Sequence, residues 1–178
     1  MPSIFSIGHG TRPIGEFVDV LRTSDVKTLA DIRSAPGSRR HPQFGQAALA
    51  VSLKAAGIEY VHLRGLGGRR DVAPDSPHLA LKVDAFRGYA DHMSTGEFAT
   101  DYERLVAIAR GRTTAFMCAE TLWWQCHRRM LADRLTVDGW DVVHLLGAGK
   151  SEPHRIWDVA RVVDGGLVYD GGAIPLGS

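Results

Sequence analysis

The sequence predicts an α/β fold: a mainly parallel sheet of about five strands, helices on both faces, and a C-terminal β-hairpin. Three observations predict it. Short apolar runs alternate with segments whose apolar residues recur at helical spacing. Gly and Pro mark the junctions between them. The tail reads ARVVDGGLVYDGG, two alternating runs around Asp-Gly-Gly, which is the pattern of a hairpin.

SIFSI (3–7) is the first strand and stops at Gly8. Thr11 then precedes Pro13, a good helix start, and PIGEFVDVLRTSD sets Phe17, Val20 and Leu21 on one helical face. KTLADI (27–32) is the second strand. A polar loop, SAPGSRRHPQFG, follows it and carries Arg39 and Arg40 side by side. AALAVSLKAAG forms a helix that Gly57 ends, and IEYVHL (58–63) is the third strand. Residues 64–83 read as a long loop rich in Gly, Pro, Arg and Asp, a kind often functional or mobile. Helical pieces follow near 84–93 and 96–110. TTAFMC (113–118) is the fourth strand, HRRMLADRLTVDG a helix, and WDVVHLL (140–146) the fifth strand. No repeat, low-complexity tract or linker interrupts the pattern, so one domain over 1–178 is expected.

Composition sets bounds on partners. The chain has 178 residues, 44% hydrophobic and 23% charged, enough to bury a core without disulfide staples. The net charge of +1 names no partner, so any phosphate or nucleic-acid site must come from local clustering. No run approaches the roughly 18 apolar residues of a membrane span. MPSIFSIGHG lacks the pattern of a signal peptide, and two cysteines make no secreted disulfide framework. No membrane association is expected, and a cytoplasmic location is.

Ligands of open α/β sheets sit at the carboxyl ends of the strands. The polar residues of this chain gather there. His9, Thr11 and Arg12 follow the first strand. Asp31 and Arg33 end the second, with Arg39 and Arg40 beyond. Gly67, Gly68, Arg69 and Arg70 lie after the third. Cys118 and Glu120 end the fourth, and Cys126, His127 and Arg128 open the next helix. His144 lies near the end of the fifth strand. A parallel sheet puts all five clusters on one rim.

Each cluster has a plain reading beside a functional one. Asp31 and Arg33 point to the same sheet face and could be a structural salt bridge. His9 sits in a turn between glycines that would expose a helix N-terminus to anions. Gly67 to Arg70 suits either a solvated turn or a phosphate loop, without Walker or GxGxxG spacing. Cys118 reads foremost as a buried small hydrophobe. Cys126 stands at a helix start beside His127 and two arginines, surroundings that favour thiolate; a packed cysteine under Trp123 or Trp124 is the alternative. Arg128 and Arg129 lie at the unfavourable end of the helix for cations. One of them is expected on an acid, Glu120 or Asp31, or on an anionic ligand. One tryptophan is expected in the core or at a dimer interface, and the other stays open.

Spacing removes several chemistries. A phosphatase or rhodanese loop sets an arginine at a fixed place after its cysteine, and Trp124 and Ala132 stand there. The cysteines are not a CxxC redox pair. No zinc motif and no GxSxG elbow appears.

IGHGTR (7–12), DIRSAPGSRRHPQF (31–44), GIEYVHLRGLGGRR (57–70) and CAETLWWQCHRR (118–129) together resemble the ordered motifs of the DUF488 family, a family of unknown function. The tail HRIWDVARVVDGGLVYDG is similar too. Gly10 departs from the family pattern, where serine is frequent. The resemblance implies a compact α/β domain whose motif residues are His9, Thr11, Arg12, Asp31, Arg33, Ser38, Arg39, Gly67, Gly68, Cys118, Glu120, Cys126, His127 and Arg128. It implies no reaction.

The expected function is an enzyme with an anionic, nucleotide- or nucleic-acid-like substrate. Thr11, Arg12, Arg33, Arg39, Gly67, Gly68, Arg69 and Arg128 would bind it. Glu120 or Asp31 would be general acid or base, with His9 or His127 assisting, and Cys126 nucleophile or thiolate ligand. The alternatives are a non-catalytic nucleic-acid or nucleotide module and a metal protein using Cys126 and His127. No metal site and no cofactor is read from the sequence, and a homodimer stays open.

Overall fold

The structure is a computed structural model that describes residues 2–37 and 39–171. Ser38 lies outside the described residues. Six strands make the main sheet: β1 (Ser3–Gly8), β2 (Thr28–Asp31), β3 (Glu59–His62), β4 (Thr114–Cys118), β5 (Asp141–Gly147) and β6 (Lys150–Pro153). Their order is β3-β2-β4-β1-β5-β6. The first five are parallel, and β6 turns back antiparallel on β5. β7 (Arg161–Val163) and β8 (Gly166–Val168) form a separate hairpin, as the Asp-Gly-Gly pattern predicts. Asp164 and Gly165, both with positive φ, make its turn. β6 went unread because KSEP is polar; it pairs through backbone on the sheet edge and buries little.

Five helices cover the sheet: α1 (Ile14–Thr23), α2 (Gln46–Ala55), α3 (Asp84–His92), α4 (Gly96–Gly111) and α5 (Arg128–Val137). Strand periodicity decides which face each residue serves. Ala115 and Met117 of β4 join Phe17 and Leu21 of α1 and Leu49 and Leu53 of α2 in one core. Phe116 and Cys118 face the other way, into a core with Tyr89 of α3, Leu105 of α4 and Met130 and Leu131 of α5. Helices therefore lie on both faces. No helix among the described residues is long and apolar enough to cross a membrane.

The parallel register sets the rim. β1 Gly8 pairs with β4 Cys118, and β2 Asp31 pairs with β4 Met117 and β3 His62. The three central strands thus end level, and the segments leaving them meet above the sheet.

Candidate functional site

A cavity of about 770 Å³ opens above those strand ends. His9, Gly10 and Thr11 supply one wall. Arg33, Ser34, Arg39, Arg40 and His41 supply a second, Gly68 and Arg69 a third. Cys118, Ala119, Glu120, Thr121, Cys126 and His127 complete it. The sequence-read clusters after β1, β2, β3 and β4 converge here.

The turn after β1 is welded to the exit of β4. His9 and Gly10 donate their N–H groups to the carbonyls of Cys118 (3.0 Å) and Ala119 (2.9 Å). Gly10 has φ +53°, and a side chain there would collide with Thr121 Oγ1. Both the left-handed conformation and the lack of space call for glycine here. Thr121 stands where that side chain would be.

Asp31 and Arg33 form a closed unit. Arg33 Nε and Nη2 grip both Asp31 oxygens at 2.9 and 2.7 Å. Asp31 also accepts the Arg33 N–H and the Tyr60 hydroxyl (2.6 Å), and it is 0% exposed. Its oxygens are occupied and it does not line the cavity, so it holds Arg33 in place. Arg33 reaches the cavity and spends further hydrogens on the Phe44 carbonyl (2.8 Å) and His9 Nε2 (3.4 Å). His9 donates Nδ1–H to the Gly10 carbonyl (2.9 Å) and stacks on Phe44. Burial, opposed by that hydrogen bond and reinforced by Arg33, lowers its pKa to about 4, so His9 is a neutral acceptor at neutral pH.

At the cavity floor Cys126 Sγ lies 3.3 Å from His127 Nδ1. His127 donates its ring N–H, on Nε2, to the Ile32 carbonyl (3.2 Å). That bond assigns the tautomer and leaves Nδ1 as a base facing the sulfur. Burial lowers the His127 pKa, which keeps the ring neutral. Gly68 packs against this ring, and a side chain at Gly68 would press on Nδ1 at 3.1 Å. Gly67 packs against Ser34, which donates to the Gly68 carbonyl (2.6 Å). The glycine pair thus seats the loop after β3 onto the base.

Burial opposes ionisation of Cys126. Hydrogen bonding from the Cys118 thiol and the positive Arg128, with the Arg128 backbone N–H, outweighs it and lowers the Cys126 pKa. For Cys118 burial dominates, with Cys126 adding to it, and the pKa is driven well above the ordinary thiol value.

Arg128 does not line the cavity. It is 1% exposed behind the floor. Its Nε points at Cys118 Sγ (3.1 Å), Nη1 at Ser6 Oγ (3.2 Å), and Nη2 at the carbonyls of Glu120 (2.7 Å) and Thr121 (3.2 Å). No acid holds it among the described residues: Glu120 contributes its carbonyl, and its exposed side chain stays at the cavity. Arg129 lies instead over the Trp157 ring at 3.8 Å. Trp123 stacks on His144, while Trp124 is exposed. Arg12 also turns away, toward the Leu146 carbonyl (2.9 Å) and Glu16. Arg39, Arg40 and Arg69 remain at the mouth, exposed, with no partner among the described residues.

Sequence reasoning missed a buried chain behind Arg128. Ser6 donates to His144 Nδ1 (2.5 Å), His144 Nε2 to His154 Nδ1 (2.9 Å), and His154 Nε2 to Asp133 (2.7 Å). Tyr169 and the Trp157 N–H complete Asp133. Ser6 and His144 are register partners on β1 and β5. The signal was a polar residue inside each of two apolar strand runs. Among the described residues no group of three or more His, Cys, Asp or Glu is arranged to hold a metal ion.

Neither a curated protein nor a solved structure matches the chain. Residues 13–135 match the family model described as Domain of unknown function DUF488, a span that begins just after the IGHGTR turn and includes the loops after β2, β3 and β4. The cavity with its cysteine–histidine floor is therefore carried by a chain that belongs to the DUF488 family.

Proposed function

We propose that the protein is an enzyme whose Cys126 thiolate attacks an anionic substrate seated under the arginine rim. One observation carries this reading: Cys126 Sγ lies 3.3 Å from His127 Nδ1 inside the cavity. His127 is in turn oriented by the Ile32 carbonyl. This is the nucleophile, base and orienting-group arrangement of covalent catalysis. Arg39, Arg40 and Arg69, which have no partner among the described residues, supply positive charge for a phosphate or carboxylate, and Arg33 adds a held one. Glu120, whose side chain has no partner among the described residues and lines the same cavity, would in its protonated form give a proton to the leaving group. Asp31 and Arg128 act through Arg33 and through the cysteines.

Alkylation tests the reading. Cys126 should react with anionic iodoacetate about tenfold faster, relative to neutral iodoacetamide, than free cysteine does. Replacing Arg39, Arg40 and Arg69 by alanine should abolish that preference and leave the iodoacetamide rate unchanged. His127→Ala should slow both reagents. An iodoacetate preference no greater than that of free cysteine, with no effect of His127→Ala, would overturn it.

The three arginines, without partners among the described residues, also favour a second reading, a non-catalytic module for nucleotides or nucleic acid. It expects single-stranded oligonucleotide binding that weakens steeply with salt and survives Cys126→Ser. Salt-independent binding, or none, rejects it.

A further inference from the structure

Cys118 and Cys126 stand eight positions apart in the chain, too far for a CxxC motif. The fold nevertheless brings them to one cavity wall, because β4 ends where α5 begins. Both are free thiols, and Arg128, two residues past Cys126, brings its Nε within 3.1 Å of Cys118 Sγ. They are served by different neighbours: Cys126 by His127 Nδ1 at 3.3 Å, Cys118 by Arg128 Nε at 3.1 Å. A base beside one sulfur and a cation beside the other prepares one thiol to attack and the other to follow. An acyl or phosphoryl group on Cys126 would be released by water and needs no second sulfur. A sulfur adduct on Cys126 does need one.

We propose that Cys118 and Cys126 form a dithiol that reduces an anionic disulfide held under the arginine rim, with Cys126 attacking and Cys118 resolving. The proposal rests on Cys126 being the attacking thiolate. In the first step Cys126 gives its proton through His127, and its sulfur bonds to one sulfur of the substrate R–S–S–R. The substrate S–S bond breaks, and the released RS⁻ takes up that proton. In the second step the Cys118 sulfur attacks Cys126, and its proton passes to the departing sulfur. The mixed disulfide breaks, and the second RS⁻ leaves with the Cys118 proton. Two electrons have passed from the protein dithiol to the substrate disulfide. The chain is left with a Cys118–Cys126 disulfide, which an external dithiol returns to two thiols. Carboxylates on R would engage Arg39, Arg40 and Arg69. The steps are disulfide exchanges through a mixed disulfide, favoured by a low-pKa attacking thiol.

The test uses the reduced full chain, glutathione disulfide as an anionic probe and cystamine as a cationic one, followed by intact mass and peptide mapping. Wild type should release both halves of glutathione disulfide as thiol and gain the Cys118–Cys126 bond. Cys118→Ser should stop at a mixed disulfide on Cys126 and release one half. Cys126→Ser should not react. Alanine at Arg39, Arg40 and Arg69 should slow glutathione disulfide about tenfold without slowing cystamine. With dithiothreitol present, wild type should turn over. A stable glutathione adduct on Cys126 of wild type, or no reaction, overturns the proposal. Iodoacetate labelling of the reduced chain before disulfide is added separates the two failures: charge-selective labelling of Cys126 leaves the thiolate reading standing, and its loss removes both.

Discussion

Two arginines are buried in this protein, and they are treated differently. Arg33 is matched by a carboxylate: Asp31 takes it at two points, and Tyr60 completes the acid. Arg128 has no carboxylate partner among the described residues. Its donors end on two carbonyls, a hydroxyl and a thiol. A buried charge costs free energy unless it is paired or well hydrogen-bonded. The Asp31–Arg33 unit is electrically closed and supports the wall of the cavity. The Arg128 unit is hydrogen-bonded but short of a negative charge, and the cysteine sulfurs are the groups beside it that can supply one. The first arrangement builds the site, and the second tunes it.

The largest expected effect comes from opening the closed unit. Asp31→Asn strands Arg33 and should cost about 3–5 kcal/mol in urea unfolding. Arg128→Met takes the guanidinium donors from the Glu120 and Thr121 carbonyls and should cost less, about 1–3 kcal/mol. It should also raise the pH midpoint of Cys126 alkylation, which Arg33→Met should leave in place. Equal shifts from both variants would erase the contrast.

Each arginine keeps a neutral histidine beside it. Burial first, with Arg33 adding to it, lowers His9 to about 4; burial, His154 and Arg128 lower His144 to about 2. Both start from an ordinary value of 6.5, so the unfolded chain binds protons that the folded chain refuses. Stability should be full above pH 6.5 and fall as the pH drops. His9 contributes to that fall down to about 4, and His144 throughout. His9→Gln should flatten only the upper part of the curve in calorimetry. An unchanged slope between those values would show that His9 charges freely.

The smallest stability effect belongs to the mouth. Arg69 is exposed and has φ +60°, a conformation that suits glycine better. Arg69→Gly should change stability by less than about 1 kcal/mol while reducing the iodoacetate preference. A large loss of stability would mean that Arg69 belongs to the framework.

Much of the architecture was legible because it follows from local periodicity. The five parallel strands, five helices and terminal hairpin stand where apolar spacing, Gly and Pro put them. β6 was hidden because a polar edge strand pairs through its backbone. The convergence of four clusters was legible too, since a parallel sheet sends every strand end to one rim. The division of roles was not. Asp31 and Arg128 carry the same residue types as a site needs, and both are turned away from the cavity. Arg12 is spent on a neighbouring carbonyl. Spacing argued against a cysteine pair; Cys118 is packed in the core as its strand position predicts, and it also lines the cavity with Cys126.

The sequence by itself determined the α/β architecture, the rim on which polar residues collect and the family to which the chain belongs. Those properties depend on spacing along the chain, and spacing is written in it. Only the tertiary structure decided which charge is paired and which is left for a sulfur. It also decided that two cysteines share a wall and that Ser6, His144, His154 and Asp133 form one chain. Those are contacts between distant segments. Their outcome depends on where each donor finds its acceptor once the strands are aligned, and no local pattern records that.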